Sequence, residues 1–132
     1  MSQYCVLTNE RSEKVMDGEK NKKTIYQNKA NGTSYQLWKL DEINADDGVY
    51  FRITNKFSGK VIDANNNKKD VYQNNWHEGS NQLWKKEEKE CDYVTLTNKK
   101  TGLCIDGNGD QKTIYQHKAN NKNYQNWRIT PV

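Results

Sequence analysis

The sequence predicts an all-β fold of about twelve short strands in three equivalent units. Three observations predict it: a gapless threefold internal repeat, strand signals interrupted by turn residues, and no window that sustains an apolar stripe at the helical period.

Tyr4–Leu40, Tyr50–Lys86 and Tyr93–Ile129 align over 37 columns, and nine columns are identical in all three. They are Tyr4/Tyr50/Tyr93, Thr8/Thr54/Thr97, Asn9/Asn55/Asn98, Asp17/Asp63/Asp106, Lys23/Lys69/Lys112, Tyr26/Tyr72/Tyr115, Gln27/Gln73/Gln116, Gln36/Gln82/Gln125 and Trp38/Trp84/Trp127. Two polar segments, Asp41–Val49 and Glu87–Asp92, are expected to be linkers that absorb the length differences. In the first repeat, strands are expected at Tyr4–Leu7, Lys14–Met16, Thr24–Gln27 and Gln36–Leu40, and in the second a turn at Thr54–Gly59 separates the first two. The single proline, Pro131, lies at the end.

A four-stranded period of 43 to 46 residues also fits a propeller blade. Propellers use about four blades or more, and the chain has room for three units. Three four-stranded units closing around a threefold axis give a β-trefoil, with residues 1–132 as one domain. Each repeated Trp then points into the core, two residues after a Gln on the same strand face. A Gln turned inward must be hydrogen-bonded, so Gln36, Gln82 and Gln125 are expected to brace a neighbouring loop.

Composition agrees with a small folded domain and excludes several classes. Only 33% of residues are hydrophobic, yet four Trp, eight Tyr and two Phe supply an aromatic core that disordered chains lack. The net charge of +4, from 21 basic and 17 acidic residues mixed along the chain, is too weak for a dedicated nucleic-acid binder. No apolar run reaches the roughly 20 residues of a membrane span, and Met1–Cys5 does not read as a signal peptide. The expected location is therefore cytoplasmic, or outside the cell by an unconventional route. Cys5, Cys91 and Cys104 lack metal or disulfide spacing and are expected to be reduced thiols. With two histidines only, no metal or other cofactor is expected.

The repeated Gln-x-Trp, as Gln36-Leu-Trp38, Gln82-Leu-Trp84 and Gln125-Asn-Trp127, each 19 residues after an Asp, resembles that of the ricin B-type β-trefoil lectins over residues 4–129. The resemblance implies up to three shallow pockets for terminal galactose or N-acetylgalactosamine. In that family an Asp after the second strand accepts bonds from two sugar hydroxyls, a role that falls here on Asp17, Asp63 and Asp106. Polar groups near Gln-x-Trp finish the pocket, which implicates Gln36, Gln82 and Gln125. The Asn that often precedes this Gln is present as Asn81, with Tyr35 and Tyr124 in its place in the other repeats. At the position that stacks on the sugar ring stand Asn28, Asn74 and His117 rather than the large aromatic that many members use. Trp76, two residues beyond Asn74, is a candidate ring for the second repeat.

Sugar chemistry asks for the same groups independently of the resemblance. Fixed hydroxyls need a carboxylate or amide, and the C–H face needs a flat side chain. Asparagine is abundant, as in Asn65-Asn-Asn67 and Asn120-Asn121. The loops Lys29-Ala30-Asn31 and Lys118-Ala119-Asn120 match, and each precedes a Tyr (Tyr35, Tyr124), which suggests two like sites using Asn31 and Asn120. The middle repeat instead carries Asn75-Trp76-His77-Glu78-Gly79, which places His77 among the candidates. Lys22/Lys23, Lys68/Lys69 and Lys112 read as a solvated surface, with a preference for an acidic glycan as the alternative. A turn cap remains the alternative role for the repeated Asp.

No catalytic motif is present, and acids spread around a threefold axis cannot converge on one glycosidic bond. The expected activity is non-enzymatic, multivalent binding of galactose- or N-acetylgalactosamine-terminated glycans on glycoproteins or glycolipids. Neither nucleic acid nor a transmembrane segment enters this reading, and a homodimer is left open. The rival reading is a protein-binding trefoil: a protease inhibitor, a cytoskeletal module or a heparin-binding module.

Overall fold

The computed structural model describes residues 3–20, 23–65 and 69–132. Lys22, Lys68, Asn66 and Asn67, singled out above, lie outside the described residues. The described chain forms twelve strands: β1 (Tyr4–Asn9), β2 (Val15–Asp17), β3 (Tyr26–Asn28), β4 (Trp38–Ala45), β5 (Gly48–Asn55), β6 (Val61–Ala64), β7 (Val71–Asn74), β8 (Trp84–Glu88), β9 (Tyr93–Asn98), β10 (Cys104–Asp106), β11 (Tyr115–His117) and β12 (Trp127–Pro131).

Six strands close a barrel. Antiparallel pairing runs from β1 to β4, β5, β8, β9, β12 and back to β1, so the barrel has no free edge. The hairpins β2–β3, β6–β7 and β10–β11 cap one end, each tied to its barrel strand by a single pair such as Thr54↔Val61. They also touch one another through Thr24↔Tyr72, Tyr26↔Thr113 and Asp70↔Tyr115. This is the β-trefoil that the threefold repeat predicts.

The core follows the alignment columns. Leu7/Ile53/Leu96, Met16/Ile62/Ile105, Ile25/Val71/Ile114 and the three Trp form one buried cluster, completed by Cys5, Ala64 and Val94. Trp38, Trp84 and Trp127 have no exposed surface. Each indole N–H donates to the carbonyl of Met16, Ile62 or Ile105 at 3.0–3.1 Å, so no polar atom of the ring is buried without a partner.

Two details differ from the sequence reading. Gln36, Gln82 and Gln125 end single 3₁₀ turns (Ser34–Gln36, Ser80–Gln82, Asn123–Gln125), and the strand begins only at the Trp. The turn swings the Gln side chain towards the loop that it braces, out of the pleat that would align it with the Trp. The segment Asp41–Val49 is a hairpin, with β4 paired to β5 from Trp38↔Asn55 to Ala45↔Gly48. Its outer face is polar because it projects past the core, and its backbone bonds need no apolar signal. In the second linker, Glu87 and Glu88 belong to β8 and pair with Thr95 and Val94.

Hydrogen bonds between repeats explain two more of the identical columns. Asn9, Asn55 and Asn98 each accept two backbone N–H bonds from the turn that follows, for example from Phe57 (3.0 Å) and Ser58 (3.1 Å) to Asn55. Their amide groups then donate to the preceding repeat around the barrel, at Tyr124 O, Tyr35 O and Asn81 O. Gln27, Gln73 and Gln116 each accept from a hydroxyl within their repeat (Ser12, Ser58, Thr101) and donate to a backbone carbonyl of a neighbouring repeat (Gly107, Gly18, Asn65). Both residue types are buried, where an unmet amide costs about 1–3 kcal/mol.

Candidate functional site

Each repeat places its Asp at or one residue before the end of its second strand, under the loop that follows the third. Asp17, Asp63 and Asp106 are 4%, 0% and 2% exposed. In every repeat one carboxylate oxygen, Oδ2, accepts from the Nε2 of the Gln 19 residues later, at 2.9, 2.9 and 3.0 Å. The same Nε2 donates to Lys29 O, Asn75 O or Lys118 O, and the Gln Oε1 accepts the backbone N–H of Asn31, His77 or Asn120. Both amide protons of Gln36, Gln82 and Gln125 are therefore committed within the protein, and these residues act as braces that fix the Asp and its covering loop.

The second oxygen distinguishes the repeats. Asp17 Oδ1 accepts the backbone N–H of Glu19 (3.0 Å), and Asp106 Oδ1 that of Asn108 (2.9 Å). Asp63 Oδ1 accepts from the side-chain amide of Asn81 (2.9 Å). The turn-cap geometry considered from sequence is thus present in the first and third repeats, alongside the Gln contact.

The expected stacking residues behave in two ways. Asn28 and Asn74 each donate to the Asp Oδ2 of their own repeat at 3.2 Å, as polar neighbours of the carboxylate. His117 is exposed and lies flat on Tyr115, with ring centroids 5.7 Å apart and an interplanar angle of 20°. Trp76 is half-buried, and the Arg52 guanidinium, paired with Asp41, covers its ring at 5.0 Å from the centroid. His77, one residue further on, comes to the site instead: its Nε2 stands 3.5 Å from Asp63 Oδ2, while Nδ1 accepts from Gly79 N. The alignment column Asn31/His77/Asn120 is the one that the Gln brace holds beside each Asp, which gives the matched Lys-Ala-Asn loops an architectural reason to be alike.

Sequence reasoning missed the contribution of the following repeat. Tyr35 packs edge-on against Phe57, from the first turn of the second repeat, with centroids 4.6 Å apart. Tyr124 faces Arg11, from the first turn of the first repeat, with the guanidinium 5.8 Å from its centroid. The only signal for this was the column Arg11/Phe57/Lys100, which varies between repeats.

Away from these sites, a cavity of about 940 Å³ opens where the three capping hairpins meet, lined in part by Lys23, Tyr26, Tyr72 and Lys112 over Ile25 and Ile114. Lys23, Lys69 and Lys112 are exposed. Among the described residues no cluster of His, Cys, Asp and Glu suits a metal ion, and no helix is long and apolar enough to cross a membrane. Cys5, Cys91 and Cys104 are free thiols.

Residues 1–75, 34–112 and 80–132 match the family described as ricin-type beta-trefoil lectin domain-like. The chain belongs to this family. No curated protein matches it. Among solved structures it is similar to the designed threefold-symmetric protein ThreeFoil, at 23% identity and a TM-score of 0.86, over 98% of this chain and 99% of that one. SeviL, solved bound to asialo-GM1 saccharide, is 18% identical with a TM-score of 0.81, over 98% and 97%. The exo-β-1,3-galactanase 1,3Gal43A from Clostridium thermocellum is 27% identical with a TM-score of 0.88, and there this chain covers only 30% of the other protein.

Proposed function

We propose that the chain is a non-catalytic lectin for galactose- or N-acetylgalactosamine-terminated glycans, with one site per repeat. The observation that carries this reading is the repeated Asp–Gln pair, held at the same 2.9–3.0 Å geometry beneath three equivalent loops. The Gln pins one carboxylate oxygen and the covering loop, which fixes the buried Asp and the loop residues above it in one arrangement that a sugar would meet. Around it the first site offers Asn28, Asn31 and Tyr35, the second Asn74, His77 and Asn81, and the third His117, Asn120 and Tyr124. Two similar structures agree with a glycan-binding role by their names, SeviL bound to asialo-GM1 saccharide and an exo-β-1,3-galactanase of which this chain matches 30%. Each contact is shallow and polar, so useful affinity comes from several sites engaging one glycan-coated surface.

Calorimetry with galactose, N-acetylgalactosamine and glucose, together with red-cell agglutination reversed by free galactose, tests the reading. Binding of galactosides with more than one site per chain is the expected result. No heat with any galactoside at millimolar protein, combined with capture of a protein ligand, would transfer the fold to the protein-binding class.

A further inference from the structure

The matched loops of the first and third repeats predict twin sites, but the surroundings of their tyrosines differ. The carbonyl of Tyr35 accepts two bonds, from Gly18 N beside Asp17 (2.8 Å) and from the side chain of Asn55 (2.9 Å). Asn55 in turn holds the turn that carries Phe57. The third repeat copies this: Tyr124 O accepts from Gly107 N (2.8 Å) beside Asp106 and from Asn9 (2.8 Å), which holds the turn that carries Arg11. A side-chain carbon at Gly109 would stand 3.6 Å from the Tyr124 hydroxyl, so this ring lies along the Asp106 loop. One carbonyl thus locks the Asp loop of one repeat to the first turn of the next, and the turn residue meets the Tyr at the rim of the site.

We propose that this turn residue forms a second subsite beside the Asp and makes the two sites select different ligands. At the first site Phe57, 48% exposed, and Tyr35 present two rings at an interplanar angle of 68°, a surface for the C–H face of a neutral second sugar or an aryl aglycone. At the third site Arg11 is exposed, and among the described residues no carboxylate pairs with it. Glu10 accepts from Asn126, and Asp110, on the loop after Asp106, accepts from Thr113, while Glu13, two residues beyond Arg11, is exposed and forms no ion pair with it. A guanidinium beside a sugar pocket suits a carboxylate or sulfate on the galactoside, which it binds through paired N–H donors.

The inference rests on the lectin reading, and one titration separates the two. The amides of Glu19 and Asn108 donate to Asp17 and Asp106, so their NMR shifts report the first and third sites individually. The probes are lactose and lactose sulfated at the galactose 6-hydroxyl. At Asn108 the sulfated ligand binds about threefold tighter than lactose, the size of an exposed ion pair, and raised salt or Arg11→Ala removes the difference. At Glu19 the preference is absent or reversed, and Phe57→Ala weakens lactose relative to free galactose. Both substituted side chains are exposed, so folding is not at stake, and unchanged dispersion of the remaining amides verifies it. Equal ratios at the two amides, or an acid preference that survives Arg11→Ala, overturn the subsite and leave the lectin reading standing. Unmoved amides with every galactoside sink both.

Discussion

Replacing each site Asp by Asn separates the three repeats by a mechanism that the hydrogen bonds specify. Asparagine keeps one oxygen, which can stay opposite the Gln Nε2 at 2.9–3.0 Å. Its NH₂ group must then occupy the place of Oδ1. In the second repeat that group faces the Asn81 side chain, which can turn over and offer its own oxygen. In the first and third repeats it faces the backbone N–H of Glu19 or Asn108, which cannot turn over. Losing charge assistance costs about 1 kcal/mol in all three, and opposing a buried N–H with another donor adds about 1–3 kcal/mol in two of them. Asp63→Asn should therefore cost about 1 kcal/mol, and Asp17→Asn and Asp106→Asn about 3 kcal/mol each. Urea unfolding followed by tryptophan fluorescence, read at constant m-value, measures the order. If Asp63→Asn destabilises as much as Asp17→Asn, the second oxygens are not held as described and the reasoning fails. Asp→Ala is a blunter probe: at Asp63 it strips Gln82, Asn74 and Asn81 of their shared acceptor, so a loss of sugar binding there must be compared with a loss of stability.

Three further outcomes are expected. Trp84→Ala removes a fully buried ring and leaves Ile62 O without its donor, so thermal or urea unfolding should show a loss of about 3–5 kcal/mol. Glu13 holds φ 62° where the aligned residues are Gly59 (φ 71°) and Gly102 (φ 73°), so Glu13→Gly should stabilise by about 0.5–1 kcal/mol in the same assay. Burial pushes the Cys5 thiol from 9.0 up to about 11. Above pH 9 the unfolded chain loses this proton while the folded chain keeps it, so stability falls as pH rises through that window, by about 2–3 kcal/mol at its end. Cys5→Ala should flatten that fall in pH-dependent unfolding curves, and in the native protein exposed Cys91 should be the thiol that reacts with a thiol reagent.

The parts of the fold that were legible in the sequence are those written three times. The Trp column, the core columns and the fixed Asp-to-Gln spacing survive alignment because each repeat solves the same packing problem. The β4–β5 hairpin was hidden because its outer half is held by backbone bonds, which leave no mark on side-chain type. The contacts between repeats were hidden by distance along the chain: Asn9 reaches Tyr124, 115 residues away. His77 could have been placed beside Asp63 only by knowing that Gln82 takes hold of its backbone N–H.

The pattern of sameness and difference around the sites carries the functional argument further than any single residue. The identical Asn, Gln and Trp are buried and committed to partners within the protein. Their identity follows from architecture, and a sugar need not touch them. The columns that differ are Asn28/Asn74/His117, Asn31/His77/Asn120, Tyr35/Asn81/Tyr124 and Arg11/Phe57/Lys100. In the first, Asn28 and Asn74 bond to their Asp while His117 lies on Tyr115. The second is held over the Asp by the Gln brace. In the third, Asn81 bonds Asp63, and Tyr35 and Tyr124 meet Phe57 and Arg11 of the last. Substitution there leaves the brace intact, because Asn31, His77 and Asn120 give the Gln only a backbone N–H. On the proposed lectin function, substitution in these columns changes what one site recognises without disturbing the other two, since each site draws its variable groups from its own loop and, in the first and third repeats, from one turn of the neighbouring repeat.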